Sequence, residues 1–222
     1  MKSYPVIIAD NFFDDPDYVR DFALSLAYTT SSDGRWPGAR SEHIHLLDNN
    51  LFNYVSRKIE LLFSDAEPKQ WMKSMQFQRV SPYATDKWDR RNRGWIHSEN
   101  ATPEQKVIFG GLIYLTKDPE PDTGTSIYKA KKGFRYDSDE CDDMKKSLYS
   151  GVDIDINEYN KLYDLQHEQY IETVKCENVY NRLIVFGSDV IHGAQTFGTK
   201  ERLTLPFFGY QPERPLPPLM RF

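Results

Sequence analysis

The sequence predicts a mostly β (α+β) protein, built as a double-sheet jelly roll with supporting N-terminal helices and a helical insertion. From Met75 onward, apolar residues recur at strand spacing or in the continuous runs that are typical of buried strands. Short turns separate these runs, as expected for antiparallel strands. Helical spacing is confined to two segments near the N-terminus and one long segment within the strand-rich region. Together these observations place helices outside two packed sheets.

Two amphipathic helices are predicted in the N-terminal part. The short apolar run Val6–Ala9 is a candidate strand that precedes them. A helix is predicted over residues 16–27, because Asp15 can cap its start and Pro16 fits its first turn. A second helix is predicted over residues 50–63, where apolar residues follow one face. We expect the two helices to form a layer against a sheet.

The remaining elements define the predicted domain organisation. The whole chain, 1–222, is expected to be a single domain with an N-terminal helical support over 1–70 and a jelly-roll core over 75–210. The acidic segment 130–176 interrupts this core. Helical spacing over 156–171 marks the segment as a helical insertion, which could act as a lid at the mouth of the jelly roll. The predicted strands of the core are 75–80, 95–99, 107–115, 125–128, 182–187, 190–196 and 202–210.

Composition favours an ordinary globular protein and argues against nucleic-acid binding. The 222 residues are 39% hydrophobic and 27% charged, with a net charge of −5. Basic residues are concentrated only in the short run 87–93, which we interpret as a solvated loop or, alternatively, as a surface for an anionic substrate. Without a basic arm, the chain is not expected to bind the phosphate backbone of nucleic acids.

Cysteine content and hydropathy indicate a soluble protein of a reducing compartment. The two cysteines are Cys141 and Cys176, and their spacing fits neither a zinc ribbon nor a disulfide framework. The first residues lack the apolar run of a secretion signal. No apolar run approaches the length that is needed to cross a bilayer. We therefore expect a cytoplasmic protein without a membrane partner.

Two histidines and one glutamate form the candidate metal site. One residue separates His97 from Glu99, so on a strand both side chains point to the same face. His192 closes a distant apolar strand, and folding would have to bring it to the other two. Two imidazoles and a carboxylate are the ligand set of non-haem Fe(II) oxygenases, and they also suit Mn(II) or Zn. These three residues are therefore the predicted catalytic metal ligands.

An arginine near the start of the last strand is the candidate anchor for an anionic co-substrate. Arg202 follows His192 by ten residues. If its guanidinium faces the interior of the jelly roll, its desolvation is costly unless an anion is bound there. Thr204 lies two residues further on and shares that face, so its hydroxyl can bind the same carboxylate. The alternative is a structural ion pair between Arg202 and an internal aspartate or glutamate.

This combination resembles the Fe(II)/2-oxoglutarate-dependent dioxygenase superfamily, whose core is a double-stranded β-helix, also called a jelly roll or cupin-like fold. That superfamily combines HxD or HxE with a distal histidine and, about ten residues later, an arginine that is often part of RxS or RxT. The resemblance covers about residues 75–210. The segment Gly110–Tyr128 also resembles the middle of the prolyl-hydroxylase-like branch. The segment Trp36–Arg40 resembles a poorly characterised subfamily.

The resemblance implies Fe(II) as the metal and 2-oxoglutarate as the co-substrate. Arg202 and Thr204 would bind the 5-carboxylate of 2-oxoglutarate, and Tyr114 lies where such enzymes often place a further polar contact. With O2, oxidative decarboxylation to succinate would be coupled to oxidation of a substrate, by default a hydroxylation. The substrate is expected to be a small molecule or a peptidyl residue rather than a nucleic acid. Glu99 departs from the aspartate that most members use.

Three alternatives stay open at this point. A cupin-like jelly roll could hold a metal at the same three residues without 2-oxoglutarate chemistry. A non-catalytic binding module on the same fold would not bring the histidines together. Finally, His43 and His45 also have strand spacing and form an alternative metal pair, but the sequence offers no third ligand near them.

Overall fold

The computed structural model describes residues 6–63, 72–99, 107–132 and 139–210. Within these ranges the chain forms eleven strands and five helices. The helices are α1 (Pro16–Ser25), α2 (Ile44–Leu47), α3 (Asn49–Glu60), α4 (Asp139–Ser150) and α5 (Ile156–His167). The strands are β1 (Val6–Ala9), β2 (Thr29–Thr30), β3 (Ala39–Arg40), β4 (Met72–Met75), β5 (Gln78–Val80), β6 (Val107–Tyr114), β7 (Thr125–Ala130), β8 (Tyr170–Cys176), β9 (Leu183–Gly187), β10 (His192–Ala194) and β11 (Arg202–Tyr210).

The strands form two antiparallel sheets. The larger, eight-stranded sheet has the order β1-β9-β6-β11-β5-β3-β2, and β4 also pairs with β11. The smaller sheet has the order β10-β7-β8. His97 extends the smaller sheet through an isolated antiparallel bridge to His192 in β10. The smaller sheet is therefore the one that carries both histidines of the predicted metal site.

Side chains alternate along β11 between a face that packs against the helices and a face that points toward the smaller sheet. Leu203, Leu205 and Phe207 are buried in a core that also contains residues of α1 and α3. Because neighbouring strand residues point to opposite faces, Arg202 and Thr204 face away from these helices and toward the smaller sheet. The helices thus cover the outer face of the larger sheet and leave its inner face for the site.

Helix starts in this layer follow from acidic caps. The Asp15 side chain accepts a hydrogen bond from the backbone N–H of Tyr18, and Pro16 occupies the first turn of α1. Asp48 caps α3 in the same way, because its carboxylate accepts from the N–H groups of Asn50 and Leu51. Local sequence therefore fixes where both supporting helices begin.

The helical insertion packs against the segment that leads into the predicted metal site. Trp95 is buried in an aromatic cluster with Tyr149, Tyr159 and Tyr163 of α4 and α5. The indole N–H of Trp95 donates to the Tyr159 hydroxyl at 3.1 Å. From α5, the Gln166 amide donates to the carbonyl oxygen of Ile96. The insertion thus holds the residues immediately before His97.

The predicted mostly β fold with supporting helices and a helical insertion is confirmed, with local differences. The predicted helix 156–171 ends at His167, because Tyr170–Cys176 pairs with β7 as strand β8. The predicted strand 95–99 contributes a single bridge, at His97. The predicted strand 75–80 is divided between β4 and β5.

The predicted domain ranges extend beyond the described residues. The helical support 1–70 includes residues 1–5 and 64–70, and the insertion 130–176 includes residues 133–138, all of which lie outside them. None of the helices in the described part is long and apolar enough to span a bilayer.

Candidate active site

His97, Glu99 and His192 come together at one point between the sheets. Each offers one ligand atom, and the three atoms lie within 4.8 Å of one another. Nε2 of His192 is 3.3 Å from a carboxylate oxygen of Glu99. The two imidazole centroids are 4.5 Å apart. Among the described residues, no other set of three or more histidine, cysteine and acidic side chains meets in this way.

Backbone pairing fixes the position of all three side chains. The N–H of His97 donates to the carbonyl oxygen of His192 at 2.9 Å, and the N–H of His192 donates back at 2.8 Å. Two residues on, the N–H of Glu99 donates to the carbonyl oxygen of Ser188 at 3.0 Å. The HxE spacing then places imidazole and carboxylate on the same side, as the sequence predicted.

Both histidines present the same ring nitrogen to the cluster. Nδ1 of His97 lies 2.9 Å from the carbonyl oxygen of Trp95. Nδ1 of His192 lies 2.9 Å from the carbonyl oxygen of Val190. A carbonyl oxygen only accepts, so each Nδ1 must carry the proton. Each Nε2 is then left with its lone pair free, which is the state that binds a metal ion.

A glycine on the larger sheet makes room for the glutamate. A Cβ atom at Gly110 in β6 would lie 3.2 Å from Cγ of Glu99 and 3.3 Å from the ring of Phe186. Glutamate is one methylene longer than the aspartate of most superfamily members, and the missing side chain at Gly110 leaves space for that length. This residue was not predicted from the sequence, although a glycine inside an apolar strand run often marks a close approach.

Electrostatics favour a neutral His97 and an ionised Glu99. Desolvation, and then the nearby His192, lower the pKa of His97 to about 4. Although desolvation opposes it, the contact with His192 and the charges around the site lower the pKa of Glu99. His97 is exposed by surface area, whereas its lowered pKa reflects burial of the imidazole. A residue with an exposed surface can still hold its ring nitrogens among protein atoms.

Arg202 is buried and has no ion-pair partner among the described residues. It is 6% exposed, and burial lowers its pKa. Its Nε donates to the carbonyl oxygen of Thr123 at 3.1 Å, and its guanidinium carbon lies 5.4 Å from the ring centroid of Tyr114. One terminal nitrogen, Nη2, is buried without a hydrogen-bond partner. The structural ion pair that the sequence left open is therefore absent from the described part of the chain.

Thr204 and Tyr114 lie directly beside this guanidinium. They are opposite each other in the pairing of β11 with β6. Both are buried, and burial raises the pKa of the Tyr114 hydroxyl above its usual range. The Tyr114 hydroxyl donates to Thr125 Oγ1 at 2.8 Å. The structure thus brings together one guanidinium and two hydroxyl groups, as the sequence predicted, on the inner face of the larger sheet.

The alternative histidine pair does not form a strand. His43 precedes α2, and His45 lies within it, with ring centroids 5.5 Å apart.

A separate cavity of about 340 Å³ reaches Arg202 from the Thr123 side, and none of the three clustered residues lines it. The cluster of His97, Glu99 and His192 is therefore the site with a convergent donor set.

Several solved structures share this architecture. HygX from Streptomyces hygroscopicus, with nickel and 2-oxoglutarate bound, is similar over 95% of this chain and 84% of its own, at 12% identity and a TM-score of 0.57. A 2OG-Fe(II) oxygenase family oxidoreductase from Burkholderia pseudomallei is similar over 94% and 88%, at 15% identity and a TM-score of 0.54. A Trichoplax adhaerens prolyl hydroxylase, in complex with a hypoxia inducible factor peptide fragment, is similar over 93% and 83%, at 11% identity and a TM-score of 0.55.

These likenesses establish the double-stranded β-helix fold of 2-oxoglutarate- and Fe(II)-dependent oxygenases, which confirms the predicted fold class and the resemblance seen in the sequence. No curated protein matches the sequence. A family model matches residues 1–204, a range that includes His97, Glu99, His192, Arg202 and Thr204, and its description is a family of unknown function, DUF6445. The chain therefore belongs to the DUF6445 family.

Proposed function

We propose that this protein is a non-haem Fe(II)- and 2-oxoglutarate-dependent oxygenase, by default a hydroxylase. It would couple oxidative decarboxylation of 2-oxoglutarate to succinate with oxidation of a small-molecule or peptidyl substrate by O2. One observation carries the proposal. Two imidazoles with free Nε2 atoms and a carboxylate meet at one point, and a buried guanidinium without an anionic partner lies on the facing sheet.

His97, Glu99 and His192 would hold the metal. Their nitrogen and oxygen donors suit Fe(II), Mn(II) or Zn, and the superfamily fold favours Fe(II). Three protein ligands leave coordination positions free for a chelating co-substrate and for O2. The Trp95 and Val190 carbonyls keep both imidazoles in the required tautomer before any metal arrives.

Arg202, Thr204 and Tyr114 would bind the 5-carboxylate of 2-oxoglutarate. A buried guanidinium costs free energy unless an anion compensates it, and Nη2 of Arg202 still lacks an acceptor. A carboxylate accepts from a guanidinium through two parallel hydrogen bonds. The Thr204 hydroxyl, and the Tyr114 hydroxyl after rotation away from Thr125, can donate to the same group. HygX, a structural neighbour, was solved with 2-oxoglutarate and nickel bound.

The protein and its ligands would contribute different parts of the chemistry. When bound, the metal and 2-oxoglutarate supply the oxidising power. The chain supplies fixed ligand geometry, a neutralising charge for the co-substrate and an interior from which water is excluded. The helical insertion contributes by holding the backbone of Trp95 and Ile96, next to the first ligand.

Succinate release provides the direct test. The protein is incubated with Fe(II), ascorbate, O2 and 2-oxoglutarate, and succinate is measured alongside metal content and the visible absorption of the Fe(II)–2-oxoglutarate chelate. The wild-type protein should form the chelate and release succinate slowly even without a primary substrate. His192→Ala should lose both signals. Metal binding without a chelate would instead support the cupin-like alternative, and absence of metal binding would reject both.

A further inference from the structure

Trp36–Arg40, the segment that resembles a poorly characterised subfamily, lies on the inner face of the larger sheet. In the strand register, Arg40 of β3 is opposite Gln78 of β5, and Gln78 is opposite Thr204 of β11. Residues opposite one another on neighbouring strands point to the same face. Arg40 therefore faces the same interior as Thr204.

The backbone of this segment is held firmly. The buried Gln78 amide donates to the carbonyl oxygen of Pro37 at 2.7 Å. The N–H of Gly38 donates to the Tyr83 hydroxyl at 2.9 Å. Gly38 has a φ of +67°, and a Cβ atom there would lie 2.1 Å from the carbonyl oxygen of Arg79. Only glycine fits this position, so the turn presents Trp36 and Arg40 in one arrangement.

Two buried N–H donors in this segment have no acceptor. The guanidinium carbon of Arg40 lies 4.5 Å from the ring centroid of Trp36 and 5.9 Å from that of Phe208. Nε of Arg40 and Nε1 of Trp36 are both buried, and neither has a hydrogen-bond partner among the described residues. Buried donors are normally paired, so two adjacent donors without a partner point to a ligand that supplies the acceptor.

These donors lie near Glu99 of the candidate metal site. The ring of Phe208, 5.9 Å from the Arg40 guanidinium carbon, belongs to the residue opposite Gly110, and a Cβ atom at Gly110 would lie 3.2 Å from Cγ of Glu99. Arg40 and Glu99 interact electrostatically, and Tyr210 is the other ionisable group that acts on Arg40. No ion pair joins Arg40 to Glu99 or to another acidic side chain in the described ranges. The guanidinium therefore remains available for a ligand that approaches the metal ligands from the β3 side of the sheet.

We propose that Arg40 and Trp36 form a carboxylate subsite for the primary substrate. This inference rests on the proposed function, because it names the substrate class of that oxygenase. A carboxylate matches the fork of the guanidinium, and the indole N–H can donate to the same group. Its single charge balances Arg40, whereas a phosphate dianion would add uncompensated charge next to Glu99. Arg202 remains the anchor for 2-oxoglutarate.

Fragment binding tests the subsite without requiring turnover. Phenylacetate, phenylacetamide and phenyl phosphate are titrated against the metal-free protein and against the protein loaded with Mn(II) and 2-oxoglutarate, and saturation-transfer NMR measures binding. Phenylacetate should bind in both states, and its Kd should rise at least tenfold in Arg40→Gln and severalfold in Trp36→Phe. Arg35→Gln is the matched control, because Arg35 immediately precedes the segment, is exposed and is paired with Asp33. It should bind phenylacetate as the wild type does.

The remaining outcomes would contradict either the carboxylate subsite, the role of Arg40 or the oxygenase function. Equal phenylacetate binding by Arg40→Gln and wild type, stronger binding of the amide or the phosphate, or no binding of phenylacetate would overturn the carboxylate subsite. A loss of 2-oxoglutarate affinity in Arg40→Gln rather than in Arg202→Gln would reassign Arg40 to the co-substrate. Arg40-dependent binding in a protein that never forms the metal–2-oxoglutarate chelate would reject the oxygenase function and keep the subsite. Circular dichroism confirms that each variant is folded.

Discussion

At the scale of single residues, the fit between Glu99 and Gly110 explains how the longer carboxylate is accommodated. A side chain at residue 110 would meet both Cγ of Glu99 and the Phe186 ring at 3.2–3.3 Å. Contacts this close require a neighbour to move, and the Glu99 carboxylate is the more flexible of the two. The length of residue 99 and the absence of a side chain at residue 110 are therefore coupled.

The first prediction follows from this coupling. Gly110→Ala should displace the Glu99 carboxylate and weaken Mn(II) or Fe(II) binding by about tenfold, the effect that is typical when support of a metal ligand is disturbed. The double variant Gly110→Ala/Glu99→Asp should recover part of that loss, because aspartate is shorter. Isothermal titration with Mn(II) measures both affinities. Wild-type affinity in Gly110→Ala would show that the two residues are not coupled.

The second prediction concerns the guanidinium of Arg202. Arg202→Lys keeps the charge but loses the planar fork, so the 2-oxoglutarate concentration for half-maximal succinate release should rise at least tenfold. Metal content should stay close to wild type, because Arg202 touches none of the metal ligands. Arg79→Lys serves as the control, since Arg79 is part of a partly exposed ion pair with Glu201. Equal 2-oxoglutarate dependence in Arg202→Lys and wild type would remove Arg202 from the co-substrate site.

At the scale of elements, periodicity and capping predicted most of the fold. The strands β6 and β11 and the start of α1 were predictable because continuous apolar runs and an Asp–Pro start are local signals. The end of α5 was not, because residues 170–171 continue the helical spacing, and only pairing with β7 makes them a strand. A local pattern contains no information about a partner strand that lies 40 or more residues away.

The candidate site was predictable for a similar reason. HxE, the distal histidine and RxT are short patterns that the sequence displays directly. The roles of Gly110 and Arg40 depend on which strands are neighbours: Gly110 contacts Glu99 across the two sheets, and Arg40 joins the inner face only through β5. Sequence spacing contains no information about such neighbours.

The third prediction belongs to helix α5. The His167 ring stacks on Tyr163 with centroids 3.7 Å apart, so this histidine is part of the packed insertion. Desolvation, and then the charge of Arg93, lower the pKa of His167 from 6.5 to about 4. Between these values the unfolded chain binds the proton and the folded chain does not. The free energy of unfolding should therefore fall as pH decreases from 6.5 toward 4.

The lowered pKa of His97 also decreases the free energy of unfolding as pH falls. The contribution of His167 is therefore measured by replacing His167 alone. His167→Gln should lose less stability than wild type between pH 7 and pH 5, because glutamine does not titrate. Urea unfolding of the metal-free proteins at constant ionic strength measures the difference. Identical pH dependence in the two proteins would mean that the pKa of His167 is the same in the folded and unfolded states.

At the scale of the whole molecule, a buried ion pair joins the helical layer to the larger sheet. Glu60 at the end of α3 pairs with Lys73 of β4, and each side chain is only 6% exposed. Burying two charges is costly, so such a pair adds little net stability. Removing one partner is different, because the other charge stays buried. A single substitution at Glu60 or Lys73 is therefore expected to weaken the packing of the helical layer on the larger sheet.

The fourth prediction tests this attachment. Lys73→Met should lower the free energy of unfolding by about 3–5 kcal/mol, because the Glu60 carboxylate loses its cation. The double variant Lys73→Met/Glu60→Leu should recover most of that loss. Urea unfolding monitored by tryptophan fluorescence measures all three proteins. A double variant as unstable as Lys73→Met would mean that packing rather than charge is responsible.

The hydrogen bonds that orient the two imidazoles have a genetic consequence. Their acceptors are the main-chain oxygens of Trp95 and Val190, and every amino acid supplies that oxygen. Missense mutations at these two codons can change the side chains, but they leave the acceptor atoms in place. Insertion or deletion of a codon within 95–97 or 190–192 would instead shift each carbonyl relative to its histidine. The ligand orientation is thus robust to point mutation and vulnerable to changes in chain length.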